Sequence, residues 1–247
     1  MQGVFDIHAH ILPGIDDGAK NMEESEAMLR SAFDQGISKI IATPHYRKGQ
    51  DLQNLLEAGR IVQEKAYEIH NQYQILLGQE IFYFEELTDE LRKKSVLTMC
   101  KSRYLLIEFD PFVSYTMLLQ SLRKVIFARY IPILAHMERY ICLREGERVK
   151  ELIRSGCMLQ MNYSSIIGNW YFRDIHWCRN QISQGHVHMM GTDMHRPYEQ
   201  RAKINQALDW LRRNCSTERY EQLTGGTAEL ILIERNEYMG AEYDKKK

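Results

Sequence analysis

The chain has 247 residues, is 44% hydrophobic and 26% charged, and carries a formal net charge of -1. This suits a globular protein with a sizeable core, gives no general electrostatic reason to expect a nucleic-acid or anionic-membrane partner, and leaves no run of about 18 apolar residues to cross a bilayer. The start, MQGVFDIHAH, lacks the basic and apolar regions of a secretory signal, and Cys100, Cys142, Cys157, Cys178 and Cys215 form no CxxC pair, so reduced cytoplasmic thiols are expected.

No repeat, low-complexity linker or composition break divides residues 1–247, so one domain is expected. Short apolar runs alternate with amphipathic stretches of helical length. GVFDIHAH reads as the first strand. The helix after it lies in NMEESEAMLRSAFDQG, where Asn21 caps the first turn, Glu24 follows three residues on and Gly36 lies past the end. KIIATPHY is the second strand, followed by a helix over 51–72. QILLGQEIFY is the third. YLLIEF is the fourth, with a helix over 115–129, and IPILAHMERY the fifth, with a helix over 145–155. MLQMNYSSI is the sixth, with a helix over 170–184, and VHMMGTDMH the seventh, with a helix over 198–214. The tail GAEYDKKK reads as a frayed, solvated end. Strands alternating with helices imply an α/β fold with parallel pairing, as a barrel or an open doubly wound sheet.

Ionisable residues recur where the strands end. Strand one ends in His8 and His10, two in His45, three near Glu80, four in Glu108, five in His136, and seven in Asp193 followed by His195. In a parallel barrel all strand C-termini open on one face, so these residues are predicted to converge. Residues i and i+2 of a strand point the same way. His8 and His10 can therefore hold one ion together, and so can Asp193 and His195. Taken alone, a strand-end histidine such as His45 is more often structural, and Glu108 could be a paired carboxylate. The joint pattern points to a multinuclear metal site. Its nitrogen and oxygen donors suit manganese, iron or zinc, and carboxylates can bridge ions about 3.5–4 Å apart. His186 and His188 form a second HxH pair at the start of their strand, so they should face the opposite end and be structural. His70 and His176 fall on predicted helices.

With the motifs DIHAHILPGIDDG, ATPHY, GQEIFY, LLIEF, LAHMERY and TDMHRP in this order from Asp6 to Pro197, the sequence resembles the PHP (polymerase and histidinol phosphatase) superfamily. More closely, it is similar to the bacterial protein-tyrosine phosphatases of capsule and exopolysaccharide synthesis. The resemblance implies a distorted seven-stranded (β/α) barrel, TIM-barrel-like, holding three divalent ions, usually manganese. By motif position, His8, His10, Glu80 and Asp193 would hold the first ion. Glu80 would bridge to a second, with Glu108 and His136. Asp17, His45 and His195 would hold the third. The choice of Asp17 over Asp16 rests on the motif alone. Asp6 would orient an imidazole from behind.

Arg139 matches the family's phosphate-binding arginine. Arg196, in a loop shorter than the family's, would take the part of the second. Met137 replaces a usual proline, and Asn162 and Ser164 are candidate pocket residues. The implied reaction is hydrolysis of phosphotyrosine by a metal-activated hydroxide, with no covalent intermediate, on the tail of a bacterial tyrosine kinase that controls capsular or exopolysaccharide synthesis. The alternatives are another PHP phosphoesterase acting on histidinol phosphate or nucleotides, an amidohydrolase, and a metal-binding module without catalysis. Glu108 stands where many amidohydrolases carry a lysine. A competing Cys-x5-Arg pattern, Cys142 to Arg148, is disfavoured because Glu145 and Glu147 would repel phosphate from its loop.

Overall fold

The computed structural model describes residues 3–169, 172–197 and 201–244. Eight strands, all paired in parallel, are found among the described residues. β1 (Val4–Ala9), β2 (Ile37–Ala42) and β3 (Gln74–Leu77) form one sheet. β4 (Glu80–Phe82), β5 (Tyr104–Glu108), β6 (Ile131–Leu134), β7 (Met158–Asn162) and β8 (Met189–Gly191) form the other. Isolated bridges link the two sheets, Ala9 with Met194 and His45, just past β2, with Glu80.

The helices are α1 (Met22–Phe33), α2 (Leu52–Ile69), α3 (Leu87–Arg92), α4 (Tyr115–Phe127), α5 (Arg148–Arg154), α6 (Arg173–Ser183), α7 (Arg201–Asn214), α8 (Thr217–Glu221) and α9 (Glu229–Asp244). Asn21 caps α1 as expected, its Oδ1 accepting the Glu24 N–H at 2.9 Å. None of the described helices is long and apolar enough to cross a membrane.

The expected count of seven strands is corrected to eight in two sheets. The run QILLGQEIFY is not one strand. The Gly78 N–H still donates to Ala42 at 2.9 Å, but the Glu80 N–H donates to Pro44 at 3.2 Å and the Tyr46 N–H to Glu80 at 2.8 Å. The segment 42–46 stays alongside across the break, but β3 pairs only with β2, whereas β4 takes β5 as its ladder partner, and between them the Gln79 side chain bonds Gln50 and the Leu97 N–H.

The tail is also corrected. α9 continues through Asp244, and the last three residues of GAEYDKKK lie outside the described residues. Ala228 and Ile231 pack into an inner apolar cluster with Phe5, Ile7, Leu106 and Ile133. This burial anchors the start of a helix that has little amphipathic signature in the sequence. Trp170 and Tyr198, the expected starts of two helices, also lie outside the described residues.

A bulge in β1 directs the first histidines. Asp6 lies opposite Ile40 and Ala9 opposite Ala42, so β1 carries one extra residue across that interval. Phe5 and Ile7 face the inner cluster. After the bulge the alternation has shifted by one, and His8 and His10 take the inward direction. β8 must then approach closely. A Cβ on Gly191 would sit 2.9 Å from both His8 Cβ and Gln160 Nε2.

Candidate metal centre

The tautomers of His8 and His10 follow from their neighbours. His8 Nδ1 lies 3.2 Å from Gln160 Oε1. That amide is fixed by two other bonds. Its Oε1 accepts the His136 backbone N–H at 2.7 Å, and its Nε2 donates to Asn162 Oδ1 at 2.8 Å. Oε1 is therefore the acceptor, and His8 carries its proton on Nδ1. His10 Nδ1 likewise donates to Asp16 Oδ2 at 2.7 Å. Both Nε2 atoms then present lone pairs, and they face each other at 3.2 Å. Glu80 Oε2 is 3.2 Å from each, and Asp193 Oδ1 is 3.4 and 3.6 Å away. With both rings neutral, four acceptors converge with no donor between them. In a buried setting such an arrangement calls for a cation.

The other ligand candidates extend the cluster. His45 Nδ1 is 3.3 Å from both Glu80 Oε2 and Glu108 Oε1. His136 Nε2 is 2.9 Å from Glu80 Oε1 and 3.4 Å from Glu108 Oε2. The two imidazoles thus flank the same carboxylate pair on opposite oxygens. Asp17 Oδ1 stands 3.5 Å from the Nε2 atoms of both His45 and His195. The His195 ring stacks on His10 at 3.9 Å, and its Nδ1 donates to the Asp193 carbonyl at 3.0 Å. Three overlapping donor groups result: His8, His10, Glu80 and Asp193; His10, Asp17, His45 and His195; and His45, Glu80 and Glu108. Within each, the donor atoms lie within 4.8 Å of one another. His136 (φ 31°) and Asp193 (φ 52°) adopt left-handed backbone to reach the cluster. That conformation is costly for residues with a side chain and is typical of functional sites.

The proton affinities agree with this need for positive charge. Burial opposes charge on His10, but hydrogen bonds to Asp16, Asp193 and Glu80 hold its pKa well above the usual imidazole range. Burial also opposes charge on His136, and Glu108 and Glu80 nonetheless raise it to about 9. Burial likewise works against ionised Glu80, yet His8, His10 and His136 keep it well below the usual carboxyl range. The floor is closed and the mouth open: the His8 and His10 side chains are 0% exposed, against 64% for Asp17 and 47% for Arg139.

The aspartates of the first loop divide the work. Asp16 has no exposed side-chain surface. It accepts from His10, from the His45 N–H at 3.0 Å and from the Gly18 N–H at 2.9 Å. Burial raises its pKa, but the bond to His10 prevails and brings it down to about 2. Asp17, one residue on, turns its carboxylate to the mouth. The loop folds so closely that a Cβ on Gly18 would sit 2.1 Å from the His10 carbonyl.

Two expectations are revised, and one residue is added. Asp6 does not hold an imidazole. It accepts from the His8 backbone N–H at 3.2 Å and from Thr192 N–H and Oγ1–H at 2.9 and 2.5 Å, tying β1 to β8. Burial pushes its pKa up to about 6. Arg196 does not point a free fork at the cluster. Its Nη1 donates to the carbonyls of Asp17, Gly18 and His195 at 2.8, 2.6 and 2.9 Å, clamping two rim segments together. The residue that orients an imidazole beside Asp16 is Gln160, which the sequence reading missed. Its signal was a glutamine two residues before Asn162, on the strand without an ionisable end.

The remaining residues fall as follows. Asn162 Nδ2 donates to Asp193 Oδ2 at 2.9 Å, and Arg139 Nη2 donates to the same oxygen. Ser164 lies on the turn Tyr163–Ile166 after β7, and Met137 is buried. His188 Nδ1 accepts the Leu159 N–H at 3.1 Å, and His186 Nδ1 bonds Gln181 at 2.7 Å, at the other end of β8 from Asp193. The Cys142 thiol is pushed up by burial, and Arg148 pairs with Glu145 and the Cys142 carbonyl at 2.9 Å each. That pairing is unlike an anion loop around a thiolate.

A family model described as capsular polysaccharide synthesis, CpsB/CapC, matches residues 4–233. The chain belongs to the CpsB/CapC family. It is 32% identical over 247 residues to tyrosine-protein phosphatase CpsB of Streptococcus agalactiae, covering 96% of this chain and 100% of that protein. It is 30% identical over 234 residues to tyrosine-protein phosphatase YwqE of Bacillus subtilis (strain 168), covering 93% and 91%. A solved structure among those of YwqE from Bacillus subtilis and CpsB from Streptococcus pneumoniae, described as unique metal-dependent tyrosine phosphatases, superposes with a TM-score of 0.82 at 30% identity, covering 93% of this chain and 94% of that one. The CpsB/CapC match therefore spans every strand and every donor of the cluster.

Proposed function

We propose that this chain is a metal-dependent protein-tyrosine phosphatase. Residues 1–247 act as one domain of PHP type, its two sheets forming a distorted barrel in which β3 and β4 share one of seven strand positions. The observation that carries this reading is the set of opposed lone pairs: His8 and His10 Nε2 face each other at 3.2 Å, flanked only by carboxylate oxygens. Relatives named as tyrosine-protein phosphatases over nearly the whole length support it.

The donors fit three divalent ions, manganese first, with iron or zinc compatible with the same ligands. His8, His10, Glu80 and Asp193 hold one. Glu80, Glu108 and His136 hold a second, with His45 beside them. Asp17, His45 and His195 hold the third. Bound there, such ions supply Lewis-acid stabilisation and an activated water at neutral pH. Arg139 binds phosphoryl oxygens through the guanidinium nitrogens not engaged by Asp193, where charge-assisted bonds are strongest. Arg196 keeps Asp17 and His195 in register. The leaving tyrosyl oxygen has an ordinary pKa near 10 and needs less proton donation than an alkoxide.

The substrate is the phosphotyrosine tail of a bacterial tyrosine kinase controlling capsular polysaccharide synthesis, met in the cytoplasm. The exposure of Asp17 and Arg139 keeps the mouth within reach of a peptide. The test is metal analysis coupled to assays on EDTA-stripped and manganese-restored protein. Phosphotyrosine peptide should be hydrolysed only after restoration, and in preference to histidinol phosphate and nucleotides. Activity that survives metal removal, or a preference for either rival substrate, would overturn the reading.

A further inference from the structure

Large apolar side chains are exposed on the segments that leave the strands of the cluster. Phe82, Phe112, Met117 and Ile141 are 54%, 81%, 51% and 56% exposed. Phe82 is the last residue of β4, and Phe112, Met117 and Ile141 follow β5 and β6; these strands supply Glu80 and Glu108 and lead to His136 and Arg139. Phe82 is two residues beyond Glu80 and opposite Glu108 in the ladder, so it leaves β4 on the same face as Glu80. Ile141 is two residues beyond Arg139, and its N–H donates to the carbonyl of Pro111, next to Phe112, at 3.3 Å.

The segments bearing these residues are held from beneath. Tyr83 stacks on Phe109 with centroids 5.1 Å apart, and Phe109 meets Tyr140 edge-on at 6.4 Å. The Phe109 N–H donates to the Tyr140 hydroxyl at 3.1 Å. Each of these aromatic residues is buried. The exposed Phe82 and Ile141 are chain neighbours of Tyr83 and Tyr140, so a packed layer fixes the platform above it. Exposed apolar surface with rigid support, continuous with a catalytic cleft, marks a binding surface more than a tolerated defect.

We propose that Phe82, Phe112 and Ile141 form a docking platform for an apolar side chain adjacent to the phosphotyrosine in the substrate peptide. The proposal rests on the phosphotyrosine reading. It deepens that reading by assigning sequence preference to this side of the mouth. An extended peptide whose phosphate lies at Arg139 continues over Ile141, and a neighbouring leucine or phenylalanine there covers apolar surface on both partners. A serine or glycine at that position gains nothing from the platform.

The test uses the full, manganese-loaded chain and two peptides carrying a non-hydrolysable phosphonate analogue of phosphotyrosine, one flanked by leucine and one by serine. The wild type should bind the leucine peptide about tenfold more tightly, the scale set by burying one aliphatic side chain. In Phe112→Ser/Ile141→Ser that ratio should fall to within about twofold. Both positions are exposed, so the thermal midpoint verifies an intact fold. Equal binding of the two peptides by the wild type overturns the proposal, and so does an undiminished preference in the double variant. A change in sedimentation mass on substitution, without a change in peptide preference, assigns the platform to self-association and also overturns it. Failure of the metal-loaded wild type to hydrolyse phosphotyrosine peptide strikes the phosphatase reading alone, because the binding ratio is measured without turnover.

Discussion

Gln160 and His8 meet through a single 3.2 Å contact that sets the chemistry of a fully buried imidazole of the cluster. The same Gln160 oxygen accepts the His136 N–H at 2.7 Å, and its amide nitrogen holds Asn162, which in turn holds Asp193. One uncharged side chain on β7 thus supports three ligand candidates. Gln160→Leu should lower manganese affinity by about 10–100-fold, the usual cost of losing a group that orients metal ligands. Titration calorimetry or manganese resonance on folded protein measures this. Unchanged affinity and stoichiometry would remove Gln160 from the metal centre.

The adjacent Asp16 and Asp17 should behave differently when removed. Asp16 accepts from His10, His45 and Gly18 and has no exposed surface, so it shapes two donor groups at once. Asp17 stands at the mouth within 3.5 Å of His45 and His195. Asp17→Ala should lose about one ion per chain and keep its thermal midpoint. Asp16→Ala should lose more metal and melt lower, since a buried imidazole N–H is left unpaired. Equal metal loss in both variants would contradict this division.

Much of this was legible in the sequence, for a definite reason. Strand ends in a parallel α/β fold share one face, so His45, Glu80, Glu108, His136 and Asp193 could be grouped before any coordinates. Asp17 was separable from Asp16 only by motif; in the structure Asp16 accepts from His10, His45 and Gly18 while Asp17 faces the mouth, a difference that depends on loop geometry. The bulge in β1 was hidden because a bulge changes register without changing composition. Gln160 was hidden because a neutral amide carries no charge signature. The split between β3 and β4 falls at Gly78 and Gln79, between two apolar runs too close together to be told apart from one strand, and the role of Arg196 depends on carbonyls, which sequence does not display.

Arg139 and Arg196 should separate by rescue. If the guanidinium N–H groups of Arg139 that Asp193 leaves free bind a phosphoryl oxygen, as proposed, Arg139→Ala should reduce aryl-phosphate turnover by about 10²–10³-fold. Excess manganese should not restore it. Arg196 spends Nη1 on the carbonyls of Asp17, Gly18 and His195. Arg196→Ala should loosen the rim ligands, raise the manganese needed for half-maximal activity, and recover most of the rate when manganese is supplied in excess. Rescue of both variants, or of neither, would collapse the distinction.

His188 offers a pH test away from the metal. Burial disfavours its charged form, and nearby Arg219 and His186 add to the effect, bringing its pKa down from 6.5 to about 4. Its Nδ1 accepts the Leu159 N–H at 3.1 Å, which requires the neutral ring. A folded-state pKa below the unfolded one means that the unfolded chain binds the proton first. The stability contributed by neutral His188 is therefore fully present above about pH 6.5 and declines as pH falls toward 4. The shift corresponds to at most about 3 kcal/mol, an upper bound for a group that is not fully enclosed. Urea titrations of EDTA-stripped wild type and His188→Gln across that window isolate the contribution, because other groups titrate alike in both. The variant should be less stable than the wild type at pH 7 and lose less stability on acidification. Parallel pH curves for the two proteins would show that His188 is not the group responsible.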